Sequence, residues 1–210
     1  MTIRVLLADD HELVRQGMKL LLEREGFQVV GEASEGQTAV RMVSEICPDV
    51  AIFDISMPIL NGLDAARELR KTASGTKTIL LTRHDEEQYV TEALRAGVKG
   101  YILKNQEAAD LVYAVQQVSR GEIYLSPSIS RTVAEAFLSK TGLPSDSLTL
   151  RERQVLQLIA EGKSNKEIAA VLGISIKTAE SHRTRLMQKL DIHDVASLVR
   201  YAIRRGLVEV

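Results

Sequence analysis

Tryptophan is missing from this chain, cysteine occurs once, and only 4 of the 210 residues are proline. A single cysteine, Cys47, excludes an intrachain disulfide, and its expected role is that of a small apolar packing residue. Long hydrophobic runs are missing too. No apolar stretch approaches the roughly 18 residues that a membrane-spanning helix needs. The opening MTIRVLLADD reaches acid too early for a secretory leader. Neither internal repeats nor low-complexity segments are found, which excludes solenoids and compositional tails. These absences lead to the expectation of a soluble, cytoplasmic protein with no membrane partner. What is present is enough apolar material for a core, 45% of residues, so wholesale disorder is excluded.

The net charge of −1 conceals an asymmetry. Residues 147–210 carry 11 Lys+Arg against 7 Asp+Glu, whereas residues 1–146 carry 16 against 21. An acidic front and a basic back suggest two modules with different partners.

The hydrophobic period supports that division. Over the first 120 residues, β-rich runs at 3–8, 27–33, 49–54, 78–82 and 100–104 alternate with amphipathic stretches at 12–25, 36–46, 63–72, 86–96 and 107–119. Five strand–helix repeats imply a parallel sheet covered by helices on both faces. Ser126-Pro127 opens a short helix over 128–139, and SKTGLPSDS at 139–147 has the composition of a linker. The reading is an α/β domain over 1–122, a linker with a short helix over 123–146, and an all-α domain of four helices over 147–210. In the last, Thr149–Glu152 and Ser164–Glu167 have the spacing of capping boxes. Ser175 caps a third helix running to about Leu190, and a fourth spans about Val195 to Arg205.

In an open parallel sheet, ligands bind beyond the carboxyl ends of the strands. Those ends carry Asp9 and Asp10, Asp54, Thr82 and Lys104. Oxygen donors at this density suit a Mg²⁺-type cation, and an Asp beside such a cation can accept a phosphoryl group. His11 and His84 are read as facing solvent.

These residues resemble the receiver domain of two-component response regulators: the Asp9-Asp10 pair, the run DISMPILNG from Asp54, Thr82, and GYILK ending at Lys104. The resemblance implies a flavodoxin-like five-stranded fold with Asp54 as phosphoacceptor. Asp9, Asp10, Asp54 and the backbone carbonyl of Ser56 would hold Mg²⁺, Lys104 would meet the phosphoryl group, and Thr82 with Tyr101 would form the switch pair. It implies a phosphoryl acceptor with at most weak autophosphatase activity rather than an enzyme. One position departs from the pattern. The residue after the switch threonine, small in that family, is Arg83 here.

The segment 148–192 resembles the LuxR-type helix-turn-helix of the NarL/FixJ subfamily. At 100° per residue, Ala179, His182, Leu186 and Leu190 share the inward face of the third helix, and Lys177, Ser181, Thr184 and Gln188 the opposite one. Such a polar face can enter the major groove of double-stranded DNA. Thr178 adjoins that face. Arg183, Arg185 and Lys189 flank it and suit phosphates. Glu180 could accept from a cytosine amino group or repel wrong sites. Asn165 and Lys166 are placed to touch the DNA backbone. Along the last helix, Val195, Leu198, Val199 and Ala202 form a stripe with Tyr201 at its edge. Part of it must serve the core, and the resemblance implies a dimer contact for the rest.

The expected function is a transcription factor switched by phosphorylation of Asp54 by a sensor histidine kinase, binding DNA as a homodimer. The alternative is a DNA-binding regulator whose receiver works without phosphorylation, Arg83 supplying the activating charge. A phosphatase would need a second Asp two residues past Asp54, where Ser56 stands. A flavin protein would need a phosphate-friendly loop in place of the acidic DDHE.

Overall fold

The computed structural model describes residues 2–72, 75–131, 133 and 148–208. The chain divides into two compact units, residues 1–142 and 143–210.

The first unit alternates strand and helix in the expected places: β1 (Arg4–Ala8), α1 (Glu12–Arg24), β2 (Gln28–Ala33), α2 (Gly36–Ile46), β3 (Val50–Asp54), α3 (Gly62–Lys71), β4 (Lys77–Thr82), α4 (Glu87–Arg95), β5 (Gly100–Leu103) and α5 (Ala108–Ser119). A short β6 (Tyr124–Leu125) completes a sheet of order β2-β1-β3-β4-β5-β6, with every neighbouring pair parallel. The central strands read as near-continuous apolar runs because both of their faces are covered. Met18 and Leu22 of α1 and Leu111, Val115 and Val118 of α5 pack on one face, against Val5, Leu7, Ile52, Ile79 and Ile102. Right-handed crossovers put α2, α3 and α4 on the other.

Two expectations need revision. Six strands are present among the described residues rather than five, and Tyr124 and Leu125 pair with Gly100 and Tyr101 instead of starting a linker. A two-residue edge strand carries no periodicity to read. Cys47 is exposed rather than packed. It ends α2 in the left-handed conformation (φ 51°), donating its backbone N–H to Val43, a geometry that turns the side chain away from the sheet. Residues 127–131 and 133 are helical; the rest of the helix expected over 128–139 and the whole of the linker expected at 139–147 lie outside the described residues.

The second unit holds α6 (Leu150–Ala160), α7 (Asn165–Leu172), α8 (Ile176–Leu190) and α9 (Val195–Arg204). Both capping boxes form, Thr149 with Glu152 and Ser164 with Glu167. Ser175 caps α8 by accepting from the Thr178 N–H, and Asp194 caps α9 by accepting from that of Ser197. Gly173 closes α7 at φ 64°, a conformation that costs glycine little. Val155, Leu156, Ile168, Leu172, Ala179 and Leu186 lie in one core with Leu198 and Ala202 of α9.

The last two residues correct the stripe read as a dimer surface. Leu198 and Ala202 are fully buried, because α9 spends that face on its own domain. Val195 is 43% exposed, and Val199 and Tyr201 are half-buried. Leu198→Ala is therefore expected to destabilise this unit by about 3 kcal/mol. Val195→Asp should stay within about 0.5 kcal/mol. Urea denaturation of the two variants separates core from surface.

Candidate functional site: an acidic cluster and a helix-turn-helix face

Parallel strands end together, so the residues after β1, β3, β4 and β5 converge on one edge. Asp9 follows β1, Asp54 closes β3, Thr82 closes β4 and Lys104 follows β5. Asp9 and Asp54 are buried, at 0% and 2% exposure. The Lys104 ammonium lies 3.1 Å from Asp9 Oδ2 and 3.0 Å from Asp54 Oδ1, so one cation bridges two carboxylates. Asp9 Oδ1 accepts the His11 backbone N–H at 2.9 Å, and Arg15 donates to the Asp9 carbonyl at 2.7 Å. Asp54 Oδ2 is buried and has no hydrogen-bond partner among the described residues. Burial pushes the Asp54 carboxyl above its usual range; Lys104 works against that rise and Asp9 adds to it.

Asp10 points outward and meets His11 Nδ1 at 2.7 Å. One donor atom from each of Asp9, Asp10, His11 and Asp54 lies within 4.8 Å of the others, a set that can hold a metal ion. The orphaned Asp54 oxygen fits a hard cation, which would supply the missing positive charge. Ser56 is half-buried in the turn after β3. His11, read from sequence as facing solvent, is exposed but joins the cluster through Asp10.

Gly62, at the start of α3, explains how that helix crowds the acceptor. A Cβ there would sit 2.2 Å from the Asp54 carbonyl oxygen, closer than any side chain permits. Asn61 caps the helix by accepting from the Asp64 N–H at 2.9 Å.

Thr82 and Tyr101 are diagonal neighbours on adjacent strands, since Leu80 pairs with Tyr101 and Thr82 with Leu103. Both are buried. The Tyr101 ring lies inward, and its hydroxyl donates to the His84 carbonyl at 2.9 Å. Burial raises the phenol's pKa, opposed by a hydrogen bond with Thr82. The His84 N–H in turn donates to Thr82 Oγ1 at 3.0 Å, and its ring packs on Tyr89 at 4.5 Å between centroids. His84 thus joins the two residues of the expected switch pair. Sequence reasoning missed it because its backbone groups make the connection, which no side-chain pattern reports. Arg83 is exposed.

In the second unit, Lys177, Thr178, Glu180, Ser181, Thr184, Arg185 and Gln188 are exposed on α8, while Ala179 and Leu186 are buried and His182 is half-buried. The polar face is therefore presented as the helical period predicts. Lys166 at the start of α7 is exposed and Asn165 half-buried. Four residues of the set are also engaged within the domain. Arg183 donates to Asn165 Oδ1 at 3.2 Å, the Thr178 hydroxyl shares a 2.8 Å hydrogen bond with Ser175, and Lys189 Nζ lies 2.6 Å from Glu152 Oε2.

That last pair gives a pH dependence. Burial works to raise the Glu152 pKa, but hydrogen bonds from Lys189 and Thr149 prevail and hold it below the usual 4.5. A depressed acid contributes stability above its unfolded pKa and loses it as pH falls through the folded value. Stability is expected to fall below about pH 4.5, more gently in Glu152→Gln than in wild type. Melting curves taken from pH 6 downward test this; equal slopes would contradict it.

The family described as response regulator receiver domain matches residues 5–116, and that of bacterial regulatory proteins, luxR family, matches residues 146–202. The chain is similar to the oxygen regulatory protein NreC of Staphylococcus carnosus, 38% identical over 216 residues covering 99% of this chain and 100% of that protein. It is also similar to the transcriptional regulatory protein LiaR of Bacillus subtilis, 40% identical over 213 residues covering 98% and 99%. Among solved structures, RcsB from Salmonella enterica serovar Typhimurium, bound to the promoter P1flhDC in the presence of phosphomimetic BeF3−, superposes with a TM-score of 0.64 at 29% identity, covering 96% of this chain and 98% of that one. Both halves of the molecule, and the order in which they are joined, place the chain in the NarL/FixJ subfamily of two-component response regulators, which are DNA-binding transcriptional regulators.

Proposed function

We propose that Asp54 accepts a phosphoryl group from a sensor histidine kinase and that the modification drives homodimeric DNA binding. The observation that carries this reading is the Asp54 carboxylate: one oxygen meets Lys104 and the other is buried with no hydrogen-bond partner among the described residues. That oxygen attacks phosphorus, the bond from phosphorus to the donor's imidazole nitrogen breaks, and the nitrogen keeps the electron pair. Lys104 binds the transferred group's oxygens and Thr82 offers them its hydroxyl. Asp9, Asp10, Asp54 and the Ser56 carbonyl would hold Mg²⁺, which offsets the charge of the transferring phosphoryl group. The chain is a phosphoryl acceptor, with at most slow self-dephosphorylation, rather than an enzyme.

On DNA, Lys177, Ser181, Thr184 and Gln188 face the major groove, while Arg183, Arg185, Lys166 and Asn165 reach phosphates. The RcsB relative seen on promoter DNA with a phosphomimetic supports both halves of the proposal. Val195, Val199 and Tyr201 remain for the dimer contact, with Arg205 placed 5.4 Å over the Tyr201 ring. The test is DNA affinity of wild type with a small phosphodonor, with Mg²⁺ and then with excess chelator, at fixed salt. Binding should tighten only when donor and Mg²⁺ are both present.

Two observations favour a second reading, regulation without phosphorylation: Tyr101 already lies inward and Lys104 already bridges Asp9 and Asp54. Affinity indifferent to donor and chelator alike would favour it.

A further inference from the structure

The end of the sheet opposite Asp54 carries a second polar site, of opposite sign. A cavity of about 260 Å³ lies there between the C-terminal ends of α3 and α4 and the first residues of β4 and β5. Its lining includes Arg70, Lys77 and Lys99 and, among the described residues, no carboxylate. Lys77 opens β4 and Lys99 precedes β5; both are half-buried, and neither ammonium has a carboxylate partner among the described residues. Arg70 is held across the rim by a hydrogen bond from its guanidinium to the Arg95 carbonyl. Gly97 makes room for it, since a Cβ there would lie 3.0 Å from the Arg70 side chain.

Helix ends alone do not account for this charge. Each helix C-terminus carries about half a negative charge, so α3 and α4 together call for about one cation. Lys71 is already spent on Glu68 at 2.6 Å. Arg70 and Arg95 suffice for both helix ends, which leaves Lys77 and Lys99 in excess at strand starts, where no dipole needs them.

We propose that this cavity binds a small phosphorylated anion of about diphosphate size. Two half-buried lysines and an exposed arginine whose guanidinium is held by the Arg95 carbonyl supply charge and directional donors. The wall formed by Ala96 and Gly97 belongs to the end of α4, the helix lying between Thr82 and Tyr101 in the chain. The site would thus give the receiver a small-molecule input at the opposite end of the strands from its acceptor.

The test is a titration of the isotope-labelled full chain with sodium pyrophosphate, without Mg²⁺, against sodium chloride of equal ionic strength. Backbone amides of Thr76, Lys77, Gly97 and Lys99 should shift saturably. The midpoint should weaken at least about 10-fold in the Lys77→Gln/Lys99→Gln double variant, as the loss of roughly 1.4 kcal/mol of binding implies. Arg70→Gln, which leaves both strands untouched, replaces the double variant if that one loses its dispersed spectrum. Shifts that never saturate, that chloride reproduces, or that survive the substitutions would overturn the proposal. So would saturable shifts confined to α8, which would assign the anion to the DNA-binding face.

Discussion

Asp54→Asn is expected to remove the whole response to a phosphodonor while leaving the chain folded and no less stable. Both halves of that outcome follow from the environment of one carboxylate. The acceptor oxygen is lost with the substitution, so donor-driven tightening of DNA binding should vanish rather than shrink. Stability follows from sign. Burial raises the Asp54 pKa, so the folded state holds the proton more tightly than the unfolded state does. That contribution favours folding below the usual value of 3.8 and is lost as pH rises through the folded value. At pH 7 the ionised group is a net cost, which a neutral amide removes. Lys104 keeps Asp9 as a partner at 3.1 Å, so no uncompensated charge is left behind. The expected melting temperature is unchanged or raised by a few degrees. A donor response that persists in Asp54→Asn would refute phosphorylation at this residue, and a large loss of stability would refute the electrostatic account.

Gly62→Ala is expected to damage the receiver unit directly at the acceptor residue. The added carbon meets the Asp54 carbonyl at 2.2 Å, a main-chain atom in a strand paired on both sides. No side chain can rotate away, so α3 or the end of β3 must shift. Overpacking of this kind costs about 1–3 kcal/mol, and a backbone clash belongs at the upper end. In a chain of this size that lowers the melting temperature by about 5–10 °C. Because the displaced atom belongs to Asp54, phosphorylation should slow as well. Gly17→Ala is the control. It lies within α1, nothing stands within 4 Å of the added carbon, and a gain of up to about 1 kcal/mol is expected. Calorimetry of the two variants gives opposite signs if the clash is real.

Strand and helix positions in the receiver unit were legible because both periods are strong and because parallel strands carry their functional residues at their ends. The placement of Asp9, Asp54, Thr82 and Lys104 on one edge follows from topology alone. What stayed hidden was set by tertiary contacts. His84 connects Thr82 to Tyr101 through its main chain, and main-chain groups are the same in every residue. Leu198 and Ala202 share a stripe with Val195 and Val199, and the helical period shows the stripe without saying which part the domain's own core takes. Cys47 follows its type's usual preference in sequence and departs from it because the end of α2 requires a left-handed residue there. The two-residue β6 is too short to show any alternation.

The pair formed by Lys189 and Glu152 bears on how steeply DNA binding depends on ionic strength. Each phosphate neutralised by a cation contributes about 0.9 to the slope of log affinity against log salt. A lysine whose charge is already answered 2.6 Å away by a carboxylate releases no counterion when DNA arrives. The slope should therefore be shallower, by about one per half-site, than the number of basic residues on α8 suggests. Glu152→Gln would restore that increment, so a residue on the supporting helix tunes the salt sensitivity of the reading one.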